Sequence, residues 1–461
     1  MSAIPRTVQP SATPAHAQGL GESDSVWFAL IPLLKDPGNP MQMLLRMCQK
    51  YGGIIPIRLK DRRIIFMSEV DHFKHVLVTR ADDYVKYFDG LRPVFGNSMI
   101  TIDGALWQRI RRPQQAAFHP AKFEEYLPYL LKALRGKADR WQQLADSGET
   151  VEMVEETWTL AADMVCQALF DREMPFNPHF VFGCVKTYTD VQNHKAIRLQ
   201  RVNGELIEVS GANAAKAMKT WGAMPDQVLG APIIDNRQST LLNMILEAEA
   251  DPDFPDFDHQ QVVDEMKQYL WAGTETTALT LAWCLYLLSQ HPEVAEKIRD
   301  EARRVCGDGE PNWEQAQSLV YTRRVIQETM RIYPPIWSFI REAAVDDEID
   351  GQKIYKGDTV VLCSYAVHHS PKYWSEPEKF NPDRFAPDRM KARAKYSYLP
   401  FAAGKRSCIG GALSQLENGL ALAMLLRRFE PEFMGEVPAL IGPTVTLTPK
   451  GGLPFRIRAL D

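Results

Sequence analysis

Phe401-Ala402-Ala403-Gly404-Lys405-Arg406-Ser407-Cys408-Ile409-Gly410 decides how the rest of this chain is read. Glycines on both sides of a lone cysteine let the backbone bend tightly and approach a bulky planar group. A helix-like run, Ala412 to Phe429, follows at once. Cys408 therefore stands at a helix N-terminus, where the dipole and free N–H groups favour a thiolate. Arg406 adds positive charge suited to an anionic carboxylate. The commonest fate of a free cysteine is burial as a small apolar side chain, and that reading suits Cys48, Cys166, Cys184, Cys284, Cys306 and Cys363.

Outward from that stretch, Glu328-Thr329-Met330-Arg331 sets opposite charges three apart on one helical face, ahead of Pro334-Pro335. Alone, such a pair is usually a surface ion pair. Phe380-Asn381-Pro382-Asp383-Arg384-Phe385 lies between the two stretches. Ala272-Gly273-Thr274-Glu275-Thr276-Thr277 falls midway along Gln261 to Gln290, a breaker-light run ended by His291-Pro292 and apolar around much of its surface. Such a helix belongs in the middle of a protein. Gly273 costs about 1 kcal/mol there relative to Ala, and a carboxylate with adjacent threonines is locally unfavourable. A conflict of that kind marks a functional site. Trp107 and Arg111, four apart, read alone as a packing or cation–π pair. His368-His369 invites a metal-ligand reading, but a satisfied structural pair is favoured.

Phe123 to Leu144 and Thr157 to Phe170 carry apolar residues at helical spacing. Strand signals are confined to Gly53–Met67, to Gly351–Cys363 with Lys356-Gly357-Asp358 at its turn, and to short pieces in Gly442–Arg458. The expected class is mainly α with a minor β portion (α+β), and the lack of βα alternation excludes Rossmann and barrel layouts. At 461 residues, 45% hydrophobic and 24% charged, the chain is neither disordered nor fibrous. No linker or repeat divides it, and the acidic stretch Glu247–Asp258 reads as a solvated loop. With 53 Lys and Arg against 58 Asp and Glu, it lacks the basic footprint of a nucleic-acid binder. Seven scattered cysteines without a CxxC pair suit a reducing compartment. The start of the chain lacks a signal peptide, and Val26–Leu34, interrupted by Pro32, falls short of the roughly 20 apolar residues of a bilayer span. A cytoplasmic protein without a membrane anchor is expected, with a flexible tail over 1–20 and a single domain over 21–461.

The opening stretch resembles the haem-binding loop of the cytochromes P-450, Phe-x-x-Gly-x-Arg-x-Cys-x-Gly, at every fixed position, and the other motifs follow in that family's order. The resemblance implies a P-450 fold with a long central helix over haem b, and Cys408 as axial thiolate ligand to the iron. It implies that Phe401 and Gly410 shape the loop, that Arg406, Trp107, Arg111 and Arg341 hold the propionates, and that Ala272 and Gly273 lie beside the haem. Gly273 would leave room for dioxygen. Glu275 and Thr276 resemble the acid–alcohol pair that holds water and relays protons, and Glu328, Arg331 and Arg384 a structural cluster locking the cysteine loop. The distal pocket would draw on Tyr87–Thr101, Phe180–Asp235, Gln268, Trp271, Ile336, Trp337, Phe339 and Val445, with Gln268 offering one oriented hydrogen bond.

The implied activity is a monooxygenase that uses O2 on a hydrophobic small molecule: a terpenoid, steroid, fatty-acid derivative or aromatic. NAD(P)H would feed electrons through a ferredoxin or flavodoxin and its reductase, docked by Arg109, Arg112, Lys122 and Lys405. A peroxide-using peroxygenase or isomerase, and a ligand-binding sensor, are the competing readings. The intact Glu275-Thr276 pair disfavours both.

Overall fold

Helix His259–Gln290, 32 residues and about 48 Å long, runs through the middle of the molecule. Asp258 caps it by accepting from the Gln261 amide at 3.0 Å, and the following proline, Pro292, opens the next helix. From Ala278 to Leu288 every residue is buried. This central helix packs on Met153–Met164, Val320–Ile332 and Gly411–Leu426. The computed structural model describes residues 40–59, 62–86, 91–176, 199–202, 205–208, 211–443 and 445–460. The tail at 1–20, the run Val26–Leu34, Cys184 and, of the expected pocket stretches, 87–90, 180–198, 203–204 and 209–210 lie outside the described residues.

The helices expected from periodicity form as Phe123–Ser147, which stops at Gly148 with φ +67°, and as Met153–Met164, prolonged by a wider π-helical turn, Val165–Leu169. The acidic stretch differs from a solvated loop. Its first residues finish helix Leu241–Ala250, and Phe254 and Phe257 are buried just ahead of the central helix.

Ile54–Leu59 and Arg62–Met67 form the expected antiparallel pair at one edge of a five-stranded sheet. Gly351–Cys363 does not form a hairpin. Asp350 (φ +50°) and Gly351 (φ +78°) make a two-residue turn that pairs Gln352–Ile354 back onto Asp347–Ile349. Thr359–Leu362 instead enters the five-stranded sheet, parallel to Arg62–Met67 and antiparallel to Phe339–Ala343. Near the C-terminus, Ile441–Pro443 pairs with Leu447–Pro449, while Pro454–Ala459 lies between Phe429–Phe433 and Thr150–Glu152. Among the described residues no helix is long and apolar enough to cross a membrane.

Candidate active site

The cysteine loop closes on itself through the Cys408 amide, which donates to the Phe401 carbonyl at 2.9 Å. Of the two flanking glycines, Gly404 bears the conformational demand. Its φ is +71°, and a Cβ there would collide with the Leu77 carbonyl oxygen. Gly410 has φ −88°, and a Cβ would meet only the Phe118 ring at 3.7 Å. Gly411, which the motif does not single out, faces the Phe401 ring so closely that a Cβ would lie 3.0 Å away. Cys408 is solvent-accessible, yet it lies deep among protein atoms. That desolvation pushes its thiol up; the Gly410 and Gly411 amides, Arg111 and Lys86 pull down without prevailing.

Beside the loop, helix Gly104–Gln114 is capped by Asp103, which accepts from the Gly104 amide at 2.9 Å. The helix presents Trp107 as a platform: the Arg406 guanidinium lies 3.8 Å and that of Arg111 5.5 Å from its ring centre. Arg111 donates to the Ser407 carbonyl at 2.9 Å, and Arg406 to the Ile102 carbonyl at 2.6 Å and to Asp103. The buried Nε of Arg406 has no partner. Arg341, 4% exposed on strand Phe339–Ala343, is brought down to about 10 by burial and by Arg406. Lys86 is pushed well below its ordinary value by burial, then by Arg341 and Arg406. Burial raises Asp103, but the Lys86 amide and Arg406 outweigh it and hold the carboxylate down. Four cations thus converge with one carboxylate beside an accessible thiol. This set fits a dianionic ligand whose metal is bound by sulfur, as the two propionates and iron of haem require.

The central helix passes over this loop. Phe118, against Gly410, stacks on Tyr269 with ring centres 5.7 Å apart. Two turns on, the Thr277 hydroxyl meets that of Ser414, in the helix that follows Cys408, at 3.0 Å. Between these contacts sit Ala272, Glu275 and Thr276. The Thr276 hydroxyl donates to the Ala272 carbonyl at 2.8 Å, and the buried Glu275 carboxylate accepts from Thr446 at 3.3 Å.

The sequence model of the cytochrome P450 family matches residues 21–454. The chain belongs to the cytochrome P450 family. It is 28% identical over 398 residues to cyclooctatin synthase of Streptomyces melanosporofaciens, spanning 85% of each chain. Against cytochrome P450 4A12 of Rattus norvegicus it is 28% identical over 462 residues, covering 95% of this chain and 89% of that one. The same Streptomyces supplies a relative named cyclooctat-9-en-7-ol 5-monooxygenase, also 28% identical, with 85% of each chain covered. The crystal structure of the cytochrome P450 CYP102L1 superposes with a TM-score of 0.78 at 23% identity, over 92% of this chain and 95% of that one, showing the same fold. This P450 is a haem-thiolate monooxygenase with a mainly α fold and minor sheets.

In this P450 the Glu–Arg motif is fully internal. Glu328 and Arg331 are both 0% exposed and pair at 2.7 and 2.9 Å. Arg384 reaches the same carboxylate at 3.2 Å, and Arg331 also donates to the His368 carbonyl at 2.9 Å. His368 accepts from the Leu399 amide at 2.9 Å, which requires a neutral ring, and burial holds its pKa well below the ordinary value. His369 bonds Glu378 and the Ile332 carbonyl, each at 3.0 Å. Both rings are engaged by the protein, and among the described residues no group of three or more His, Cys, Asp and Glu side chains is gathered as a metal site would need.

Three expected roles are corrected, those of Gly273, Gln268 and Val445. A Cβ on Gly273 would lie 3.0 Å from Val165, so that glycine admits the neighbouring π-helical turn. Gln268 is committed to the protein: it accepts from the Ile100 amide at 2.9 Å and donates to Glu265 at 2.6 Å, tying the chain near residue 100 to the central helix. Val445 is 47% exposed, and its neighbour Thr446 is the residue that turns inward. Trp271 lies edge-on to Phe95 and Trp221, at 5.2 and 5.5 Å. Ile336, Trp337 and Phe339 are half-buried. Arg109 reaches the Asp253 carbonyl and the Phe254 ring, while Lys122 pairs with Glu125 and Lys405 with Asp82 at the surface. Arg112 is exposed beside a surface groove that Gln115 and His119 also line.

Proposed function

We propose that this P450, acting as a single haem domain over 21–461, inserts one oxygen atom of O2 into an apolar, alicyclic small molecule by hydroxylation or epoxidation. The observation that carries the reading is the convergence of Lys86, Arg111, Arg341 and Arg406 beside Cys408, under a helix bearing Glu275 and Thr276. Cys408 would hold the iron, and Arg111, Arg341 and Arg406, steadied by Trp107, would hold the propionates. Haem bound through a thiolate supplies O2 activation, since sulfur donates electron density that favours O–O cleavage. The protein's share is proton handling and shelter. Glu275, buried on the central helix, passes protons inward, and the Thr276 hydroxyl orients water at the Ala272 carbonyl. Half-buried Ile336, Trp337 and Phe339 offer apolar surface. The alicyclic preference follows the two Streptomyces relatives, one of which is named for oxidising an unsaturated alcohol.

Electrons from NAD(P)H would arrive through a separate ferredoxin or flavodoxin and its reductase, docking near the exposed Arg112. The six described cysteines are all free, in keeping with the cytoplasm. Reduced protein with carbon monoxide should give the thiolate-type absorption, and Cys408→His should lose it. A spin-state screen should favour unsaturated alicyclic alcohols; a response to linear fatty acids alone would overturn the substrate class. Thr276→Ala should divert reducing equivalents to peroxide, and tight coupling in that variant would count against its role.

A further inference from the structure

We infer that Thr446 is the positioning residue for Glu275, and that the C-terminal hairpin carrying it sets how well proton delivery is coupled to product formation. The inference rests on the proton-relay reading of Glu275. Both residues are buried, at 5% and 8% exposure, and the Thr446 hydroxyl donates to Glu275 Oε1 at 3.3 Å. Thr446 sits at the end of the loop between Ile441–Pro443 and Leu447–Pro449. The next residue is fixed through both of its backbone groups. The Leu447 amide donates to the Pro335 carbonyl at 2.9 Å, and its carbonyl accepts from Trp283 Nε1 at 3.1 Å. Trp283 is itself held by stacking on Tyr333, ring centres 4.1 Å apart. The hairpin is therefore stapled to the central helix at two places, Glu275 and Trp283, a little over two turns apart.

The chemistry of the partner matters as much as its place. The terminal torsion of a glutamate is broad, so a buried carboxyl needs a fixed neighbour to aim it. A lysine or arginine would aim it but also lock it ionised. A hydroxyl donates to the carboxylate and accepts from the acid, so the Thr446 contact can hold the orientation in both protonation states. The residue before it, Val445, is exposed. The same short loop thus presents one side chain outward and one to the acid.

The test uses the haem-loaded, full-length enzyme and three variants: Thr446→Val, Thr446→Ser and Glu275→Gln. Infrared difference spectra of the resting protein, wild type minus Glu275→Gln, assign the Glu275 carboxyl bands without any turnover. Thr446→Val should shift those bands, lower the rate of product formation about tenfold, and raise both the peroxide share and the solvent isotope effect. This is the scale of one hydrogen bond. Thr446→Ser should restore all four. Unchanged bands and coupling in Thr446→Val, with Glu275→Gln still uncoupled, would overturn the positioning role and leave the relay reading standing. Unchanged coupling in Glu275→Gln would bring down the relay reading, and the positioning role with it.

Discussion

Two clusters of arginine and carboxylate, one around Glu328 and one beside the cysteine loop, are built to opposite ends. Around Glu328, the carboxylate is shared by Arg331, Arg384 and the Asn381 amide, while the guanidinium groups also reach the carbonyls of His368, Ser375 and Glu376. Beside the cysteine loop, Arg111, Arg341 and Arg406 gather around Lys86 with Asp103 as the one nearby carboxylate, one guanidinium nitrogen is orphaned, and Lys86 and Arg341 are held below their ordinary pKa. A satisfied charge cluster is architecture. An unbalanced one is a binding site, because only an incoming anion relieves the mutual repulsion and desolvation.

Breaking the satisfied cluster should cost most. Arg331→Ala would leave a fully buried Glu328 with Arg384 as its remaining arginine partner and open a void beside it, and urea unfolding should show a loss of about 3–5 kcal/mol, or no folded protein at all. If the variant stayed within 1 kcal/mol of wild type, on the order of an exposed pair, the two clusters would not differ in kind. Arg341→Met, in the unbalanced cluster, should instead weaken haem retention by roughly 1.5–3 kcal/mol while making the haem-free protein no less stable, because it removes a buried cation whose charge is disfavoured there. Haem transfer to apomyoglobin, measured alongside chemical unfolding, separates these outcomes. Trp107→Leu removes the platform under both Arg406 and Arg111, and its effect on haem affinity should be smaller, about 0.5–2 kcal/mol. Lys86→Met sharpens the contrast by pH. A lowered lysine pKa makes the folded apo chain bind fewer protons than the unfolded chain, so the wild type carries a penalty below pH 10.5 that fades as that value is approached. The variant's apo form should be more stable than the wild type at neutral pH, with the advantage shrinking toward pH 10.5; thermal melts across that range would show it.

The cysteine loop, the Glu–Arg–Arg cluster and the acid–alcohol stretch were all legible because each is a local pattern of unlike residues at short spacing. Position 404 could be read as a glycine of necessity, but not why: the Leu77 carbonyl that excludes a side chain comes from 327 positions away in the chain. The strand over Thr359–Leu362 was legible as a strand and misplaced as a hairpin partner. The tighter turn at Asp350-Gly351 had already used its neighbour, and pairing depends on which edge is open. Gln268 looked available because its own helix is apolar, whereas an amide at Ile100 had claimed it. Thr446 carried no signal at all, being an ordinary threonine in a short loop.

By itself the sequence determined the family: a cysteine loop between glycines, an acid–alcohol pair midway along one helix and a mainly helical body, since residue type and spacing along one helix or loop are properties of the chain. Only the tertiary structure decided which of those groups are still free to act. Whether Arg406, Gln268 or Glu275 faces a ligand or a neighbour depends on atoms brought together from distant segments, and burial then sets how costly each unpaired charge becomes.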